Sequence, residues 1–113
     1  MRMKTGLLGD KKMIGKSEIK VQGGKLIRVE CDIHERSNVV MRLIITGDFF
    51  LHPEEAIEEL ESSLLMLRAE PEILNSRIES FFAKGYVLVG AKPEDFTNAI
   101  LNAVLNAKEV ITQ

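Results

Sequence analysis

Between Glu18 and His34 polar and apolar residues alternate almost one for one, and the main interruption is a pair of glycines. Ile19 and Val21 stand between Glu18, Lys20 and Gln22, and beyond Gly23-Gly24 the residues Ile27, Val29, Cys31 and Ile33 alternate with Arg28, Glu30, Asp32 and His34. A period of two sends one set of side chains to one face of a strand. Two adjacent glycines accept the positive φ of a two-residue turn, so the segment predicts a β-hairpin with an apolar face. After a polar connection from His34 to Asn38, the residues Val39, Met41, Leu43 and Ile45 continue the period, with Val40, Arg42, Ile44 and Thr46 opposite. This predicts a third antiparallel strand. An exposed apolar sheet face of that size invites aggregation, so helices must cover it.

Three prolines followed by acids announce those helices: Pro53-Glu54-Glu55, Pro71-Glu72 and Pro93-Glu94-Asp95. Proline at the first helical position forfeits no intrahelical hydrogen bond, and carboxylates in the first turn complement the helix dipole. The first helix is expected from Pro53 to about Leu67, with Ile57, Leu60 and Leu64 inward and five glutamates between positions 54 and 61 elsewhere around it. The second turns Leu74, Ile78, Phe81 and Phe82 to one side and stops at Lys84-Gly85, a good carboxyl-terminal cap. The third turns Phe96, Ile100 and Val104 inward, with Leu101 and Leu105 as further inward candidates. Tyr86 to Val89 reads equally as an edge strand or as an extended linker.

A length of 113 residues matches one domain. Residues 1–16 are basic, carry scattered glycines and show no sustained period, so they read as a flexible leader to a single α+β domain over residues 17–113. The net charge of −2 conceals two ends, since residues 1–28 carry +6 and the remainder −8. No run approaches the ~18 to 20 apolar residues of a membrane span, and the amino terminus lacks a signal peptide's apolar core. These features point to a cytoplasmic protein that engages no membrane. The leader's Arg2, Lys4, Lys11, Lys12 and Lys16 suit phosphates, yet no aromatic accompanies them to stack on bases and the rest of the chain is acidic. Nucleic acid is therefore not the expected partner.

Residues capable of chemistry are few. One cysteine with two histidines makes neither an internal disulfide nor a structural zinc site. Cys31 and His34 lie an odd number of residues apart, so a strand sends them to opposite faces and denies them a shared proton. Gly23-Gly24-Lys25 lacks the spacing of a phosphate loop and serves better as a turn, although Lys25 remains able to meet a partner's anion. No catalytic or metal site is expected. The unusual segment is Gly47-Asp48-Phe49-Phe50-Leu51-His52, which follows a strand and precedes Pro53. Asp48 suits a turn by accepting from backbone N–H groups, and His52 stands just before the helix. Neighbours in extended chain point to opposite sides, so either one of Phe49 and Phe50 enters the core while the other faces out, or the loop bends to bury both. An exposed one would be a binding hot spot.

The stretch Lys20-Val21-Gln22-Gly23-Gly24-Lys25-Leu26-Ile27-Arg28-Val29, together with Ile45-Thr46-Gly47-Asp48-Phe49-Phe50 and Pro53-Glu54-Glu55, resembles the small accessory subunit of bipartite lipoate-protein ligases. A weaker echo lies at Gly90 and Pro93-Glu94-Asp95, and the likeness spans about residues 17 to 105. That subunit corresponds to the carboxyl-terminal domain of the single-chain ligase and is similar in fold to sulfur-transfer and iron-sulfur scaffold proteins. The resemblance implies a heterodimer in which a separate catalytic subunit holds ATP, Mg and lipoate, makes lipoyl-AMP and passes the lipoyl group to a lysine of an acceptor domain. The accessory chain would hold no cofactor and would be required for activation. Gly47, Asp48, Phe49, Phe50 and Lys25 would then form or meet the interface, with Gly23 and Gly24 structural. The rival is a scaffold for sulfur or iron-sulfur transfer, which demands a reactive, accessible thiolate.

Overall fold

In a computed structural model, which describes residues 11–111, strands β1 (Lys12–Lys20), β2 (Leu26–His34) and β3 (Val40–Gly47) form an antiparallel sheet in that order. The glycines adopt the expected conformations, with φ of 87° at Gly23 and 80° at Gly24. The turn is longer than two residues, because Gln22–Gly24 forms a 3-10 turn closed by Val21 N–H donating to the Lys25 carbonyl at 2.8 Å. That bond keeps Val21 on the buried side.

Strand β1 corrects the expected leader. It begins at Lys12 rather than after Lys16, and Lys12 pairs with His34 at the far end of β2. Residues 1–10 of that segment lie outside the described residues. The strand is hard to see in the sequence because its inward position 15 is glycine, and its outward position 14 is an isoleucine 51% exposed. Gly15 is required by close approach: a Cβ there would lie 1.9 Å from the Ala103 carbonyl oxygen. The last helix rides directly on this strand, and Ser17 Oγ donates to the Ala99 carbonyl at 2.6 Å while Asn106 Nδ2 donates to the Lys16 carbonyl at 2.7 Å.

The third strand departs from a uniform period. A bulge pairs Ile33 with Val40 and Asp32 with Arg42, leaving Met41 without an opposite residue. The faces therefore exchange at that point, so Val40 is buried and Met41 exposed, whereas Leu43 and Ile45 face inward as the alternation predicts.

After β3 come β4 (Phe50–His52), α1 (Ala56–Leu64), α2 (Pro71–Phe82), β5 (Val87–Val89) and α3 (Pro93–Ile111). Helices α2 and α3 begin on their prolines, but Pro53 precedes α1 by three residues and instead accepts the Ala56 N–H in a turn. Helix α1 also ends before Leu67, because the chain beyond it pairs with the start of β3: Met66 N–H donates to the Val40 carbonyl at 2.8 Å and Val40 N–H to that of Leu67 at 2.9 Å. Tyr86 to Val89 resolves into strand, with β5 antiparallel to β4 in a small ribbon.

The helices lie on the apolar face of the three-stranded sheet, α3 against β1 and β2 and α1 against β3, with α2 packed on both. The inner face of α3 is built from Phe96, Ala99, Ile100, Ala103, Val104 and Ala107, and Leu105 proves 55% exposed rather than inward. Alanines at 103 and 107 allow the close approach to Gly15. The architecture is the α+β arrangement expected from the sequence. Among the described residues, no helix is long and apolar enough to cross a membrane.

Candidate functional site

The segment that leaves β3 is fastened first by backbone. A Cβ at Gly47 would lie 2.3 Å from the Leu26 carbonyl oxygen, so only glycine fits there. Asp48 then grips the same residue twice, its N–H donating to the Leu26 carbonyl at 2.9 Å and its Oδ2 accepting the Leu26 N–H at 3.1 Å. Asp48 is thus the clamp that aims the two phenylalanines.

Phe49 turns inward and meets Phe96 edge to face at a centroid distance of 4.8 Å. From Phe96 the contacts continue through Phe82, Phe81 and Tyr86, with centroids 5.5, 5.1 and 4.6 Å apart in turn. Five of the six aromatic side chains therefore form one continuous cluster. Phe50 is the one outside it, 60% exposed. In the β4–β5 register Phe50 pairs with Val89, Leu51 with Leu88 and His52 with Val87. Leu51 is buried and Leu88 packs on the core, so the alternation places Phe50, His52, Val87 and Val89 together on the solvent face. Val87 and Val89 are 55% and 58% exposed.

The ribbon has unlike ends. Beside the Phe50–Val89 pair lies Gly90, where an added Cβ would come within 3.3 Å of both the Asp48 carbonyl oxygen and Lys25 Cδ, so the Lys25 side chain runs past this end. Beyond the His52–Val87 pair the chain continues into Pro53 and the exposed Glu54 and Glu55, and Tyr86 donates its hydroxyl to Glu59 on α1 at 2.5 Å. That bond holds the Tyr86 phenol above its ordinary pKa. The structure thus gathers Gly47, Asp48, Phe50 and Lys25 around one surface, sends Phe49 beneath it, and leaves Gly23 and Gly24 in the hairpin turn. Sequence reasoning missed Val87 and Val89. A run of three apolar residues is too short to display a period, and its strand partner lies over thirty residues away.

The solvent face of the larger sheet is built differently. Asp32, only 4% exposed, accepts from Arg42 Nε and Nη2, both at 3.1 Å, and from Lys12 at 3.5 Å. Burial alone would raise its pKa, but the Arg42 hydrogen bonds and charge, joined by Lys12, outweigh it and hold the carboxyl below its usual value. Arg42 also reaches Glu30, which meets Lys16, and Arg28 pairs with Glu18 at 2.6 Å.

Cys31 is fully buried on the opposite face, and burial pushes its thiol up to about 11. His34 faces away from it, its Nδ1 beside the Ser37 N–H and hydroxyl at 3.2 and 3.0 Å. Among the described residues, no group of three His, Cys, Asp or Glu side chains is placed to hold a metal ion.

No family model matches the chain. It is 40% identical over 76 residues to lipoate-protein ligase A subunit 2 of Thermoplasma acidophilum, an alignment that covers 66% of this chain and 76% of that protein. A solved chain from a structural analysis of an archaeal lipoylation system, a bi-partite lipoate protein ligase and its E2 lipoyl domain from the same organism, superposes with a TM-score of 0.70. That match has 33% sequence identity and covers 80% of this chain and 97% of the other. With this identity over three quarters of a relative and a shared fold over nearly all of a solved chain, the protein belongs to the family of the second subunit of bipartite lipoate-protein ligases.

Proposed function

We propose that this chain is the non-catalytic accessory subunit of a cytoplasmic lipoate-protein ligase, required with a separate catalytic subunit for activation of lipoate to lipoyl-AMP. The catalytic subunit holds ATP, Mg and lipoate and then transfers the lipoyl group to a lysine of an acceptor domain. The carrying observation is that the likeness runs to a second subunit of a lipoate-protein ligase and covers 97% of a solved chain from a bi-partite ligase system. The accessory chain acts by ordering the partner's site, a gain in positioning rather than in reacting groups.

Lipoyl-AMP formation from ATP and lipoate tests this, using the catalytic subunit from the same source with and without this chain, and this chain alone. Product only when both are present is the expected result. No stimulation of a partner that still transfers from supplied lipoyl-AMP overturns it. The sulfur-scaffold alternative needs a reactive thiolate, and the burial and raised pKa of Cys31 weigh against it. In native protein Cys31 should resist thiol labelling until the chain unfolds; rapid labelling would restore that alternative.

A further inference from the structure

Among the described residues, a hollow, a groove and the ribbon face stand open to a partner. The hollow, of about 300 Å³, lies between the hairpin turn and the 90–95 segment, lined in part by Gly23, Gly90 and Lys92, but none of its polar side chains is buried. The outer face of the three-stranded sheet carries a shallow groove of about 530 Å³ across Lys16, Glu18, Arg28, Glu30, Ile44 and Thr46. Its charges already answer one another through Lys16–Glu30 and Arg28–Glu18. Covering it would strip water from groups that gain no new partner. The β4–β5 ribbon is the reverse case, since three of its four outward side chains, Phe50, Val87 and Val89, are apolar and lose only water.

We infer that the outer face of the β4–β5 ribbon, centred on Phe50, Val87 and Val89, is the surface on which the catalytic subunit docks. This rests on the accessory-subunit reading above and adds the surface and its polarity. A phenylalanine opposite one valine and diagonal to the other forms the apolar centre that hot spots favour, and each strand is entered from a residue of the packed aromatic cluster, Phe49 or Tyr86. Charge selects the orientation. Lys25 flanks the Phe50–Val89 end, where the Asp48 carboxylate already accepts the Leu26 N–H, while Glu54, Glu55 and Glu59 flank the His52–Val87 end. The partner therefore presents an apolar patch with basic residues toward α1 and an acid toward Lys25. Phe49 packs inward on Phe96, so of the two phenylalanines only Phe50 touches the partner.

The test pairs calorimetric Kd with lipoyl-AMP formation for the complex of full chain and catalytic subunit. Phe50→Ser and Val89→Lys should each weaken Kd at least tenfold, with lipoyl-AMP formation restored at high concentration of the variant. Lys25→Glu and the double change Glu54→Lys, Glu55→Lys should weaken it less and flatten its salt dependence. Ile44→Ser, on the competing sheet face, should leave Kd unchanged. Circular dichroism and denaturation midpoints confirm that each variant folds. If the unaltered chain binds and stimulates while Phe50→Ser and Val89→Lys bind as well as it does, the ribbon assignment is wrong and the accessory role stands. If the unaltered chain neither binds nor stimulates, the accessory role itself fails. Self-association of the free chain that Phe50→Ser abolishes, with partner affinity intact, would give the ribbon to a second copy and overturn the inference.

Discussion

The outward positions of β1, β2 and β3 are mostly charged and cross-paired, with Asp32 held by Arg42 and Lys12, whereas the outward positions of β4 and β5 are Phe50, His52, Val87 and Val89. Both surfaces come from alternating strands with a buried inner side, so burial of the inner face does not explain the difference. The charges of the first face are answered within the isolated chain, and its exposed apolar residues, Ile14, Met41 and Ile44, are spread among them. The second gains free energy only by being covered. A surface whose interactions are internal should matter to stability and little to association, and an apolar surface without internal partners should do the opposite.

The largest effect tests what supports the ribbon. Phe96→Ala removes the ring on which Phe49 and Phe82 both rest, and should lower unfolding stability by about 3–5 kcal/mol in denaturant titrations. It should therefore weaken partner binding through loss of folded chain. Arg42→Ala should cost about 1–2 kcal/mol, because Asp32 is left nearly buried with Lys12 alone; the figure falls below that for a wholly buried pair since the guanidinium is 40% exposed. Partner affinity should be unaltered, and a loss of affinity in that variant would move the interface to the larger sheet.

Acid should erode the charged face by the same mechanism. The Asp32 carboxyl lies below its ordinary value of 3.8 in the folded chain, so its contribution is present above that value and is lost as pH falls through the folded pKa. Asp32→Asn should abolish this part of the stability decline below about pH 4. Glu61 acts with the opposite sign. Burial raises its pKa despite the Ile45 N–H that it accepts at 2.8 Å, so its contribution declines as pH rises through the raised value. Glu61→Gln separates the two in pH-dependent denaturation. The smallest effect sharpens the comparison most: Phe50→Ser should change the stability of the free chain by no more than about 0.5 kcal/mol, since its ring lies outside the aromatic cluster. A substantially larger loss would make Phe50 a core residue.

The hairpin, the third strand and the three helices were legible because each carries its own period over enough residues to reveal a face. Leu60 and Leu64, Leu74 and Ile78, and Phe96 and Ile100 all lie inward as spacing predicts. The Gly47 to His52 segment was legible as unusual, since paired aromatics between a strand and a proline have no routine structural use. Which phenylalanine turns inward could not be read, because alternation fixes only that neighbours in extended chain diverge.

Three features needed the tertiary structure. Residues 12–16 form strand because Gly15 admits α3, and that requirement is set by a backbone nearly ninety residues away. The bulge at Met41 follows from pairing register, which local alternation does not encode. The ribbon exists because β4 finds β5, and each is too short to stand without the other or the core beneath. The sequence by itself determined the hairpin, the third strand and the three helices and most of the sides they bury, because those preferences are local and periodic. Only the tertiary structure decided that Phe50, Val87 and Val89 share one exposed face, because that face is made by contact between segments distant along the chain.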